Sequence, residues 1–260
     1  MRIALGVEYD GQHFRGWQAQ QGGLPTVQAS LQRGLSRVAN VPVTLVCAGR
    51  TDAGVHALAQ VVHFDTGAER TAQSWVRGAN ANIDRAITVL WAKPVSHDFH
   101  ARFSAFSRRY RYVILNRPMR SSLASGRVTW EYRPLDAARM AEAGRHLLGE
   151  RDFTSYRAVG CQSSTPFRNV TRLDVSRHDD LVFIDIEANA FLHHMVRNIA
   201  GVLMDIGAGE RPPGWACEVL EARDRTAAGV TAPPHGLYLM AVDYPPGFAI
   251  PHLSNTRLVW

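Results

Sequence analysis

The stretch that decides the fold is Val41-Pro42-Val43-Thr44-Leu45-Val46-Cys47-Ala48-Gly49-Arg50-Thr51-Asp52-Ala53-Gly54-Val55-His56-Ala57-Leu58-Ala59-Gln60-Val61-Val62-His63-Phe64-Asp65. Val41 to Ala48 and Ala59 to Asp65 are apolar runs of strand length. Between them lies a glycine-flanked loop with a single carboxylate, Asp52. Glycine has no Cβ, so such a loop accepts positive φ and lets a ligand approach its backbone. Arg50 stands two residues before the acid, and a nearby opposite charge lowers a carboxylate pKa. A lone ionised acid beside an arginine is suited to act as a nucleophile. An ordinary turn with a capping Asp is the plainer alternative. The nine-residue string Gly49 to Ala57, with Arg50 before the acid and His56 after it, favours function.

Outward from this stretch, Ile3, Leu5, Val7 and Tyr9 alternate at period two, as in a half-buried strand. A loop with Gly11, Gly16, Gly22 and Gly23 follows. Val27, Leu31, Leu35 and Val38 recur at helical spacing behind Thr26, an N-cap residue. A short helix from Trp75 to Asn80 and a strand from Ile87 to Trp91 complete a β-α-β-β-α-β order, that of the split βαβ arrangement. The second half repeats it. Arg109 to Leu115 is strand-like, and Met140, Gly144, Leu147 and Leu148 share a helix face capped by Asp136. Val170 to Val175 and Leu181 to Ala188 flank the hairpin turn Asp179-Asp180. Phe191, Met195, Ile199, Val202 and Ile206 form a helical stripe that ends near Gly207 and Gly209. A helix through Trp215, Val219 and Leu220 and a strand from Leu237 to Val242 close the order. The expected fold is α+β, with two ferredoxin-like halves, 1–104 and 105–260, packed around a central cleft.

Hydrophobic residues make up 46% of the 260-residue chain and charged residues 20%, as in ordinary globular proteins. No apolar run reaches the ~18 residues of a membrane span, and the chain opens on a strand pattern, not a leader. Cys47, Cys161 and Cys217 lie too far apart to suggest a disulfide framework or a zinc site. These features predict a cytoplasmic protein. The net charge of +6 and pI of about 9.6 favour polyanionic partners. All 29 basic residues except Lys93 are arginine, which GC-rich codons would also produce.

Arg108-Arg109-Tyr110-Arg111-Tyr112 interleaves arginine with tyrosine. On a strand Tyr110 and Tyr112 face one way and Arg109 and Arg111 the other, leaving one side for a base or a core and the other for phosphates. Arg197 opens a polar stripe with Asn198, and either reaches the cleft or is a surface arginine. Adjacent histidines on a helix point apart, so His193 and His194 are not expected to chelate one ion. No phosphate loop, nucleophile elbow or dinucleotide fingerprint occurs, so neither a cofactor nor a metal is expected.

With these motifs located, the chain resembles the tRNA pseudouridine synthases of the kind that modify the anticodon stem-loop. The matching strings are Ala48 to His56, Gln60-Val61-Val62-His63-Phe64, Asp98-Phe99-His100-Ala101-Arg102-Phe103-Ser104 and Arg109-Tyr110-Arg111-Tyr112. Leu148 to Ser155, Arg168-Asn169-Val170, Ala188 to Asn198 and Gly236-Leu237-Tyr238-Leu239 continue it. The tail from Pro251 to Trp260 lies outside the resemblance.

The resemblance implies the pseudouridine synthase fold, a basic cleft, a homodimer and no cofactor. It implies Asp52 as the catalytic aspartate and Tyr110 as the tyrosine that stacks on the target uracil. It implies Arg50 as the arginine that contacts the flipped nucleotide and pairs with the aspartate. Arg197 and His56 complete the expected substrate-binding set. The rival is a non-catalytic RNA-binding module on the same scaffold, which gives no reason for Asp52, since an acid in a phosphate-binding cleft repels its ligand.

Overall fold

A computed structural model of the chain describes residues 1–252; residues 253–260, most of the unmatched tail, lie outside the described residues. The strands are β1 (Arg2–Tyr9), β2 (Val46–Cys47), β3 (His56–Asp65), β4 (Ile87–Val95), β5 (Ser107–Asn116), β6 (Thr129–Glu131), β7 (Gly149–Asp152), β8 (Phe167–His178), β9 (Leu181–Ala188) and β10 (Leu237–Asp243). The helices are α1 (Val27–Ala39), α2 (Ala72–Asn80), α3 (Ala137–Arg145), α4 (Met195–Gly207) and α5 (Trp215–Ala222). The chain is α+β and divides into two compact units, Met1–Phe106 with the chain from Tyr238 onward, and Ser107–Leu237. Among the described residues no helix is long and apolar enough to cross a membrane.

In the first unit β1 runs antiparallel between β3 and β4, with Leu5 opposite Val62 on one side and Ala92 on the other. The two-residue β2 adds to β3 antiparallel. This order, β4-β1-β3-β2 with α1 and α2 in the two crossovers, is that of the split βαβ arrangement. Every β3 residue except Asp65 is buried. Thr26 caps α1 as expected, its hydroxyl accepting from Ala29 N. Trp17, Leu31 and Leu35 are buried in the core, and Trp75 of α2 meets Phe64 edge-on at 5.1 Å.

The expected strand over Val41 to Ala48 shrinks to Val46–Cys47. Its backbone groups go to side chains of α1 instead of to a ladder. Val43 N donates to Ser36 Oγ at 2.9 Å, and Val43 O and Leu45 O accept from Gln32 Nε2 and Gln28 Nε2. Backbone donors and acceptors must be satisfied somewhere, and here polar side chains substitute for a neighbouring strand.

In the second unit β5 pairs with β9, β9 with β8 and β8 with β7, all antiparallel, while β6 lies parallel to β5. The β8–β9 hairpin turns at Asp179-Asp180 as expected, with Asp179 at φ 52°. Asp136 caps α3 by accepting from Ala138 N and Arg139 N. The stripe read from Phe191 to Ile206 is helical only from Met195. His194 takes a left-handed φ of 62°, which ends the turn before the helix. His193 and His194 therefore lie in that turn, with ring centroids 4.0 Å apart.

Candidate active site

Asp52 lies in the loop that connects β2 to β3, and several backbone groups around it are held. Ala48 N donates to Val61 O at 2.8 Å, and Gly49 O accepts from Gln60 Nε2 at 2.7 Å. Thr51 O accepts from Trp17 N at 2.9 Å, and Thr51 Oγ1 shares a buried hydrogen bond of 2.8 Å with Tyr9 OH. Val55 N donates to Asp52 O at 3.2 Å, closing a turn whose third residue, Gly54, has φ 79°. That sign at that place marks a type II turn, which takes glycine there for steric reasons.

The glycines of the preceding loop press on this turn. A Cβ on Gly11 would lie 1.9 Å from Val55 O. Gly16, at φ 90°, would put one 2.9 Å from Thr51 O. Both contacts are with backbone, which cannot swing aside. The loop is thus caged at its main chain while the Asp52 side chain stays half-buried and Ala53 is exposed.

His56 belongs to the cage. It is 3% exposed and stacks on Tyr238 with ring centroids 4.6 Å apart. Its Nδ1 accepts from Gly11 N at 3.0 Å and lies 3.2 Å from Asp10 Oδ1. The structure gives this histidine the work of fastening the Asp10-Gly11 turn to the start of β3. Arg50 is exposed, and no hydrogen bond or ion pair holds its guanidinium among the described residues. The expected Arg50–Asp52 pair is not made. An exposed pair gains little over hydration and side-chain freedom.

Tyr110 and Arg197 stand in the second unit. Tyr110, on β5 opposite Ile186, is 8% exposed and meets Phe191 edge-on at 5.1 Å. Arg197, in the first turn of α4, donates from Nε to Ala232 O at 2.9 Å, and Ala232 N donates back to Arg197 O. Tyr112, two residues from Tyr110, is fully buried between Thr129 Oγ1 and Pro233 O, at 2.6 and 2.7 Å. Burial pushes its phenol well above the ordinary value, against the Thr129 hydrogen bond and the charge of Arg197. Tyr112 is therefore a structural anchor beside Arg197.

The arginine face of this strand departs from the expectation of a phosphate-binding row. Arg111 makes a two-pronged pair with Asp185, 2.8 Å on each prong, and lies over the Phe183 ring. On the tyrosine side of the strand, Arg108 is buried and donates to Asn189 O. Cross-strand register explains the first, since Arg111 faces Asp185 directly. Tyr9, Trp17 and Gln60, which cage the loop, carry no sequence signal of their own; Gly11 and Gly16 do, as glycines in a loop.

Comparison with known proteins places this geometry. The family described as tRNA pseudouridine synthase matches residues 6–104 and 143–245. A tRNA pseudouridine synthase A of Nitrosococcus oceani is 60% identical over 260 residues, covering all of both chains. One from Pseudomonas aeruginosa is 58% identical, covering 96% of this chain and 88% of the other. One from Alcanivorax borkumensis is 57% identical, covering 96% and 94%. The caged acidic loop and Arg197 fall within the residues the family model matches, Tyr110 lies between its two segments but within the full-length match to the Nitrosococcus oceani relative, and the chain belongs to the tRNA pseudouridine synthase family.

Proposed function

We propose that this enzyme isomerises uridine to pseudouridine in the anticodon stem-loop of tRNA, with Asp52 as its nucleophile. The target nucleotide leaves its stack to be reached, at a few kcal/mol. Asp52 attacks the nucleotide, and the bond between uracil N1 and ribose C1′ breaks. The uracil turns, C5 bonds to C1′, the bond to Asp52 breaks and returns the free carboxylate, the C5 hydrogen departs as a proton and N1 takes a proton up. Nothing is oxidised, reduced or consumed.

The observation that carries this reading is the cage around Asp52. Three neighbouring main-chain groups, Ala48 N, Gly49 O and Thr51 O, are fixed by the rest of the first unit while the carboxylate keeps partial exposure. A reactive group held in place before substrate arrives loses little freedom at the moment of reaction, which is where positioned catalysis gains its rate. Tyr110, its ring braced by Phe191, stacks on the uracil. Arg50, exposed on the same loop, contacts the flipped nucleotide, and Arg197 adds a second cationic contact. His56 holds the loop. Family membership and relatives named for tRNA support the substrate. With the same resemblance go a homodimer and a cytoplasmic site of action.

The test is incubation with tRNA carrying tritium at uracil C5. Release of the label to water, matched by pseudouridine formed, is the expected result. Tight binding of the tRNA with the label retained would make the chain an RNA-binding module.

A further inference from the structure

The segment His97 to Phe106 has no part in the reaction just described, yet it is among the most carefully built turns of the first unit. Arg2 Nη1 donates to His97 O and Phe99 O, at 2.6 and 2.8 Å. Phe99 is completely buried between Tyr244 and Phe248. Ala101 N donates to His63 Nδ1 at 3.1 Å, and Ala101 O accepts from Tyr244 OH at 2.6 Å. His100 closes the turn on itself. Its N donates to Ser104 Oγ and its O accepts from Ser104 N, both at 2.9 Å. Its Nδ1 accepts from Arg102 N and Phe103 N.

All this order presents an apolar ring to solvent. Phe103 is 76% exposed. It stacks on the His100 ring with centroids 4.4 Å apart and planes 25° from parallel, and the Arg102 guanidinium sits 5.5 Å from its centre. A packing role does not explain a large ring held rigidly in water. The turn also lies beside the Asp52 loop. Ala101 of the turn donates to His63, and His63 pairs with Val46 of β2, the strand that leads into the acidic loop.

We propose that Phe103, stacked on His100 and flanked by Arg102, is a platform for one unstacked base of the RNA near the target uridine. The inference rests on the tRNA reading above and adds a contact to it. A rigid aromatic face binds any base by stacking, and an adjacent guanidinium meets the phosphate. Holding the ring in advance removes most of the ordering cost of binding. When a uridine is pulled from its stack, its neighbours lose a face, and this platform supplies one.

The experiment measures tRNA affinity by filter binding and C5 tritium release, for the parent chain and for Phe103→Leu, Phe103→Trp and Arg102→Ala. Phe103→Leu is expected to weaken tRNA binding about tenfold, the usual scale for one lost base stack. Phe103→Trp, which keeps a larger ring, is expected to bind at least as tightly as the parent. Arg102→Ala is expected to flatten the salt dependence, which Phe103→Leu leaves unchanged. If Phe103→Leu binds tRNA within twofold of a parent that releases tritium, the platform is wrong and the reaction stands; the ring then serves another protein or nothing. If the parent releases no tritium but Phe103→Leu still loses affinity, the reaction is wrong and the platform stands.

Discussion

The two units present their proposed site residues by opposite means. In the first, Asp52 is carried by an irregular loop whose main chain is clamped by Trp17, Gln60 and two glycines, with Tyr9 holding the Thr51 side chain. In the second, Tyr110 is carried by the regular ladder of β5, where register alone sets its neighbours. A loop gives access and needs a cage; a strand gives position and needs only a ring to lean on. The difference teaches where mutations can hurt without touching the reacting group.

The comparison breaks most sharply at Asp52 itself. Asp52→Asn is expected to lower tritium release by more than about a thousandfold, since a nucleophile acts only in the transition state. Its tRNA affinity should stay within about threefold. Activity within tenfold of the parent would remove the nucleophile from the loop.

The cage is next. Gly11→Ala forces a methyl onto Val55 O and shifts the loop, so kcat should fall about a hundredfold, the scale of a misplacement of roughly 1 Å. Gly144→Ala in the second unit is the matching control. Its added methyl would meet the flexible end of Leu173, 2.4 Å away, which can turn aside. That variant should melt a little lower and turn over at the parental rate. Equal losses from the two glycines would show that the cage has no special part in catalysis.

On the strand side, Tyr110→Phe keeps the ring and its contact with Phe191 but loses the hydroxyl. A single-turnover rate reduced about tenfold, with KM unchanged, is expected from a lost proton-transfer aid. An unchanged rate would limit Tyr110 to stacking.

The smallest effect concerns stability. His63 is held down to about 4, by burial first and then by Arg2 and His100, with Asp65 opposing. Its neutral form is the one that accepts from Ala101 N. Because the folded value lies below the unfolded one of about 6.5, this share of stability is complete above that pH and is lost as pH falls towards 4. Unfolding free energy measured between those limits should drop by up to about 1.4 kcal/mol per pH unit from this group. His63→Gln, which keeps an acceptor, should show a shallower fall; an identical slope would show that His63 is not the group that titrates.

Legibility in the sequence followed the same division. The acidic loop was legible because backbone strain leaves letters behind: Gly54 in its turn and Gly11 and Gly16 against it. The helix caps Thr26 and Asp136 were legible for a like reason, since a cap needs a particular side chain at a particular place. The fate of Val41 to Leu45 was not legible, because nothing in an apolar run tells whether its partners will be a strand or the Gln and Ser side chains of a helix. Nor was the pairing of Arg111 with Asp185, which depends on a register formed across 74 residues. The three- and four-residue strands β6 and β7 were too short for any period to appear. The packing of His56 was not legible either, because only three dimensions bring Gly11 and Tyr238 to its ring.

That last meeting sets an order of events during synthesis. Tyr238 packs on His56 from β10, which lies parallel to β3 with Leu239 opposite Ala57, and Tyr244 holds Ala101. A chain translated only as far as β9 has the acidic loop but not the ring that steadies it. The acidic loop is completed only once β10 has been made, although its own residues are translated early.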